Sequence, residues 1–174
     1  ILKRMNRKTS KEQIQELIKK IRKQIPEVTL RTSIMVGFPG ETKEDFEELQ
    51  EFIKNAKFDK LGAFMYSKEE GTPAEKLPNQ IHGNTKKSRY NKIMEEQQII
   101  SNQNLKKKIG KTFDVLIEDV SFDGKYFIGR TMQDVPEIDG IVYIKNIGQD
   151  EDKMLNKIEK YKVIDISDYD LIME

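Results

Sequence analysis

Apolar residues change their spacing once along these 174 residues, near Ile109. Upstream, helical and strand periods alternate; downstream, only short strand-like runs occur between turn signals. Ser10 followed by Gln13 is a capping-box pattern, and Ile14, Leu17, Ile18, Ile21 and Ile25 form one helical stripe that Pro26 stops. Val28 to Val36 is β-branched and apolar, a strand that runs into Gly37-Phe38-Pro39-Gly40-Glu41-Thr42. Thr42 caps a second amphipathic helix through Phe46, Leu49, Ile53 and Ala56, with Asp45 at the positive end of its dipole. Leu61 to Tyr66 reads as another strand, and after a Gly-, Pro- and Asn-rich loop a long helix runs from about Thr85 to Lys108. Helix, strand, helix, strand, helix is the order of parallel βα units. Two parallel strands cannot shield both faces of a sheet or remove its edges. The expectation is that the chain starts in the middle of a larger α/β domain, with an exposed edge through which it self-associates.

From Lys111 onward, Phe113 to Ile117, Tyr126 to Ile128, Ile141 to Ile144, Tyr161 to Ser167 and Leu171 to Met173 read as five short strands. Asp123-Gly124 is a strong hairpin signal, and Pro136 with Asp139-Gly140 marks a loop. The pattern predicts a small five-stranded antiparallel barrel of the OB-like kind. The expected fold is therefore α/β plus all-β, with domains at 1–108 and 109–174. The net charge of +1 divides along the same line. Residues 1–108 carry 23 basic and 15 acidic side chains, a net of +8, and residues 109–174 carry 8 and 15, a net of −7.

Charged residues make up 35% of the chain, against a usual ~25%, yet enough Ile, Leu, Val and Phe remain for modest cores. No apolar run approaches the ~18 residues of a membrane span, and no signal-peptide pattern occurs. With no Cys, the chain has no disulfide, no thiol nucleophile and no cysteine ligand for an iron–sulfur cluster. The single His82 lies in a polar loop and reads as exposed. Gly37 to Glu41 is the most informative stretch: its glycines allow close backbone approach at the carboxyl end of a parallel strand, where ligands bind in α/β folds. An ordinary strand-to-helix turn is an equal reading, and no Walker Lys-Ser/Thr pair follows. Tyr66 to Ala74 leaves the next strand at the same end, and composition favours a solvated loop over a pocket wall there. Lys106-Lys107-Lys108 complements a helix dipole, and Asp134, Glu137 and Asp139 read as a solvated acidic loop rather than a cation site.

Arg31 to Thr42 with Asp45-Phe46, and the opening Leu2-Lys3-Arg4-Met5-Asn6-Arg7, resemble the radical S-adenosylmethionine methylthiotransferases. Leu61-Gly62-Ala63-Phe64, Tyr66-Ser67, Glu69-Glu70-Gly71-Thr72, Gly129-Arg130-Thr131, Asp134 and Pro136-Glu137-Ile138-Asp139-Gly140 resemble the branch that methylthiolates an aspartate of ribosomal small-subunit protein twelve. The resemblance covers nearly the whole chain. It implies the carboxyl-terminal part of a radical SAM partial (β/α) barrel followed by a complete TRAM domain. It also implies S-adenosylmethionine and two 4Fe–4S clusters in a full-length cytoplasmic enzyme, neither kind of cofactor fully bound by these residues. With no Cys for the family's cluster motif, the chain alone is expected to be inert. Met35 to Gly37, with Phe64 and Tyr66, fall where relatives approach the adenine and methionine parts of S-adenosylmethionine, and Arg31 and Ser33 share strand parity with Met35 and Gly37, which puts them on the same cavity face. The competing branch modifies a tRNA adenosine, and a third reading is a non-catalytic ribosome-docking module. A segment at −7 repels a phosphate backbone and suits a basic ribosomal protein, which favours the protein-modifying branch over RNA.

Overall fold

The computed structural model describes all 174 residues, which divide into two units, Ile1–Ile100 and Ser101–Glu174. In the first, helix α1 spans Lys11–Gln24, strand β1 Arg31–Val36, helix α2 Lys43–Ala56 and strand β2 Lys60–Met65. A 3₁₀ turn at Pro73–Lys76 precedes helix α3, Gly83–Lys106, within which the unit boundary falls.

The predicted capping box of α1 forms, and the predicted Thr42 cap of α2 proves to be a box as well. The Ser10 hydroxyl accepts from the Gln13 N–H at 3.3 Å while Gln13 Oε1 accepts from the Ser10 N–H at 2.8 Å. Thr42 and Asp45 do the same for α2 at 3.1 and 2.9 Å. Each box satisfies two N–H groups that the first helical turn leaves without partners. β1 begins three residues later than its β-branched run, because the Leu30 N–H is taken by the Asp59 carboxylate at 2.9 Å instead of a ladder partner.

β1 and β2 are parallel and in register from Arg31↔Lys60 to Val36↔Met65. Period-two alternation then gives the pair two unlike faces. Val36 and Leu61, on one face, are buried with Phe46, Ile53 and Ala56 of α2, Phe58, and Ile93 and Ile100 of α3. Gln97 of α3 crosses this core to donate to the Phe58 carbonyl at 2.9 Å. The opposite face stays open: Arg31, Ser33, Gly62 and Phe64 are exposed and Met35 is half-buried.

The second unit is a closed barrel of β3 (Thr112–Val120), β4 (Tyr126–Thr131), β5 (Val142–Lys145), β6 (Ile158–Ser167) and β7 (Asp170–Met173), with a short helix α4, Glu151–Met154, before β6. The order around the ring is β3-β4-β5-β7-β6, the Greek-key kind of closure found in OB-like barrels. The barrel is mixed, which corrects the all-antiparallel expectation: β5 and β7 run parallel, Val142↔Leu171 through Ile144↔Met173. The correction follows from arithmetic, since an odd number of strands around a closed ring cannot alternate direction at every step. One parallel seam is forced, and here it lies between β5 and β7. Phe127, Val115, Ile117, Val142, Ile144, Val163 and Met173 fill the interior at 0–1% exposure. No helix is long and apolar enough to cross a membrane.

Two features of the barrel generate predictions. A Cβ on Gly140 would sit 2.0 Å from the Tyr169 carbonyl oxygen, backbone that cannot swing aside. Gly140→Ala is expected to destabilise the barrel by about 1–3 kcal/mol, whereas Gly83→Ala, with nothing within 4 Å, should not destabilise it; chemical denaturation measures both. Tyr161, 8% exposed, has its phenol pushed up to about 12, first by burial and then by Glu159, whose carboxylate accepts its hydrogen bond at 3.3 Å. A folded-state pKa above the unfolded value of about 10 favours the neutral phenol. Its contribution is therefore full below pH ~10 and is lost as pH rises towards ~12. In alkaline melting scans Tyr161→Phe should remove part of the stability loss across that window.

Candidate functional site

The strand pair ends in two turns at its carboxyl end, and side chains from outside the strands hold both. Gly37 and Gly40 adopt left-handed φ of +73° and +81°, which L side chains rarely take. The space each glycine leaves is occupied by a cation of the chain itself. A Cβ on Gly37 would lie 2.4 Å from Lys86 Cγ, and one on Gly40 would overlap the Arg4 guanidinium. Arg4 donates to the Pro39 carbonyl at 3.2 Å, and the Gly40 N–H donates to the Asn79 carbonyl at 2.9 Å.

Glu41 closes the turn from within. Its Oε1 accepts from the Gly37 N–H at 3.0 Å and from Arg89 Nη1 at 2.5 Å. Arg89, on α3, also donates to the Glu41 carbonyl at 3.2 Å and the Thr42 carbonyl at 3.1 Å, and lies 5.3 Å over the Phe46 ring. Side-chain exposures of 11% for Arg89 and 4% for Glu41 make this a buried ion pair whose donors are shared among several oxygens. On the β2 side, the Tyr66 N–H continues the ladder to the Val36 carbonyl at 2.8 Å. Phe38 and Tyr66 meet edge to face at 5.3 Å, and the buried Tyr66 hydroxyl has no hydrogen-bond partner.

The six residues singled out from sequence fall as follows. Register puts Met35 opposite Phe64 and Ser33 opposite Gly62 on the open face, with Gly37 and Tyr66 next in the same parity. Ser33 and Met35 also line a cavity of about 600 Å³ whose wall includes Lys11, Leu49, Phe52 and Glu48. Gly37 and Tyr66 are buried, and Phe64 is 48% exposed. Arg31 shares the face at its opposite end, roughly 20 Å from Gly37 at ~3.3 Å per residue. Beyond Tyr66, Ser67 to Gly71 are exposed, as a solvated loop requires, and His82 is exposed as expected. Asp134 bonds the Thr131 hydroxyl at 2.6 Å and Asp139 the Val135 N–H at 2.7 Å, so both are engaged in ordering their loop.

Sequence reasoning missed Arg4, Lys86 and Arg89. A signal for two of them exists: Lys86 and Arg89 are three apart, on one face of α3. Their partners, however, are a carbonyl and a carboxylate 20 and 48 residues away, and helical spacing does not name such partners.

Residues 1–53 match the family model of the radical SAM superfamily, and residues 109–174 match the TRAM domain. A protein of Alkaliphilus oremlandii named ribosomal protein uS12 methylthiotransferase RimO is 51% identical over 174 residues, all of this chain and 39% of the relative. Proteins of the same name are 49% identical in Clostridioides difficile and 47% in Clostridium perfringens, each over 172 residues and 99% of this chain. The chain thus spans 37–39% of the length of these curated relatives. The chain thus carries a segment of the radical SAM superfamily at residues 1–53 and a TRAM domain at residues 109–174.

Proposed function

We propose that this chain works as part of a radical SAM methylthiotransferase that modifies an aspartate β-carbon of ribosomal protein uS12. The observation that carries this reading is the 51% identity sustained over all 174 residues, through both the superfamily segment and the TRAM domain. Having no cysteine, the chain offers no thiolate to an iron–sulfur cluster, so its own contribution is to binding and positioning.

Its open strand face suits S-adenosylmethionine. The Met35–Phe64 register pair is a flat apolar platform beside Gly62, where even a Cβ would meet nothing within 4 Å. An adenine ring can lie on such a platform, aromatic face to aromatic face. Ser33 offers a hydroxyl next to it, and Gly37 and Tyr66 bound the site at the carboxyl end, where ligands enter α/β folds. Arg31 sits deeper on the same face. When bound, S-adenosylmethionine supplies the radical chemistry and methyl group of this class; these residues orient it. The −7 charge of residues 109–174 supports docking of a basic protein substrate, because opposite potentials steer encounter and select partners. A cytoplasmic setting follows from a ribosomal substrate, and the unpaired edges of the β1–β2 sheet favour self-association of the chain on its own.

The test uses an enzyme of the relatives' length carrying this segment. Incubated anaerobically with a one-electron reductant, a sulfide source, S-adenosylmethionine and either uS12 or tRNA, it should add one methylthio group to an aspartate of uS12, read by mass spectrometry. Phe64→Ala should raise KM for S-adenosylmethionine about tenfold, the scale of one lost base–aromatic stack. Modification of tRNA with none on uS12 would overturn the reading.

A further inference from the structure

The side chain that joins the two turns at the carboxyl end of the strand pair belongs to neither strand. Lys86 is the fourth residue of α3. Its Cγ, Cδ and Cβ lie 2.4, 3.1 and 3.2 Å from where a Cβ on Gly37 would be. The Gly37 backbone therefore rests directly on the lysine stem, and the absence of a side chain there serves Lys86. At its far end, Lys86 Nζ donates to the Tyr66 carbonyl at 2.9 Å and lies 4.9 Å over the Tyr66 ring. The ammonium forms no ion pair. A carbonyl and an aromatic face are its partners, so its half-buried charge is directed onto the Tyr66 loop.

The division of labour with Arg89 is informative. Arg89 grips Glu41 and Thr42, the far side of the first turn. Lys86 touches the near side of that turn and, unlike Arg89, also bonds the first residue beyond β2. We propose that Lys86 is a positioning residue: it fixes the spacing between Gly37 and Tyr66 and, through them, the shape of the S-adenosylmethionine face. The second half of this statement rests on the cofactor reading above. The first half stands on the geometry alone.

Two variants separate the lysine's reach from its charge. Lys86→Met keeps an unbranched stem against Gly37 and loses the donor; Lys86→Arg keeps a donor and a cation. Hydrogen exchange of the Tyr66 amide reads the spacing without any ligand, because that N–H bonds the Val36 carbonyl across the two strand ends. Calorimetric titration of S-adenosylmethionine into the anaerobic, cluster-loaded protein of the relatives' length reads the face. Lys86→Met should lower Tyr66 protection and raise Kd, each about tenfold, the scale of one lost charge-assisted hydrogen bond. Lys86→Arg should restore both to within about threefold, while amides of the barrel stay unchanged. Tyr66 protection and Kd both within about twofold of wild type, with only a lowered Tm, would overturn the proposal and leave Lys86 as ordinary packing. If the unmutated protein fails to bind S-adenosylmethionine, the cofactor reading fails and the part of the proposal resting on it is overturned; Tyr66 protection still decides the spacing role.

Discussion

A carboxylate and a guanidinium buried together beneath a glycine turn set the geometry of the first unit. Taking Glu41 and Arg89 out of water costs several kcal/mol for each charge. That cost is offset here because Arg89 spends its donors on the Glu41 carboxylate, the Glu41 carbonyl and the Thr42 carbonyl, and Glu41 Oε1 also receives the Gly37 N–H. The pair ties the turn leaving β1 to α3, a helix that begins more than forty residues later. The turn can then hold two left-handed glycines and a buried Phe38-Pro39 step. With the turn fixed, the open strand face has a defined carboxyl end, and Lys86 sets how far that end lies from Tyr66.

The parts of this architecture legible in the sequence are those encoded locally. Ser10 with Gln13 announces α1 because a capping box is complete within four residues, and Thr42 announces α2 as a cap, with Asp45 beside it at the positive end of the dipole. Strand parity placed Arg31, Ser33, Met35 and Gly37 on one face because side-chain direction follows from position alone, whereas Phe64 joins that face only through the β1–β2 register. The five strands of the barrel were visible for the same reason, although α4 at Glu151–Met154 was not: four residues carry too little period to register. The antiparallel expectation failed on a global property, the parity of strands around a ring, which no single segment displays. Arg4, Lys86 and Arg89 were illegible for a related reason. Each acts on a backbone position that only tertiary folding brings near, and a cation on a polar helix face looks solvated until its partner is known.

Charge separates the two segments as cleanly as periodicity does. Residues 1–108 are basic overall, but three of the cations there, Arg4, Lys86 and Arg89, bond carbonyls and a carboxylate of the chain itself, and Lys86 and Arg89 also lie over aromatic rings. The barrel segment keeps an excess of carboxylates, some of which order loops, as Asp134 and Asp139 do, and as Asp170 does by accepting from the Ile141 N–H at 2.9 Å. The acidic character is thus partly structural.

The Glu41–Arg89 pair holds the turn at the carboxyl end of β1. A double-mutant cycle with Glu41→Gln and Arg89→Met, read by chemical denaturation of the first unit, tests it most directly. Each single change should destabilise by about 3–5 kcal/mol, because it leaves the other charge buried without its counterpart. The double variant should fall short of the sum by about 2–3 kcal/mol, the coupling expected of residues in one buried network. Additivity within about 0.5 kcal/mol would contradict the account, since the two side chains would then contribute independently and the turn would owe its shape to its glycines and Pro39 alone.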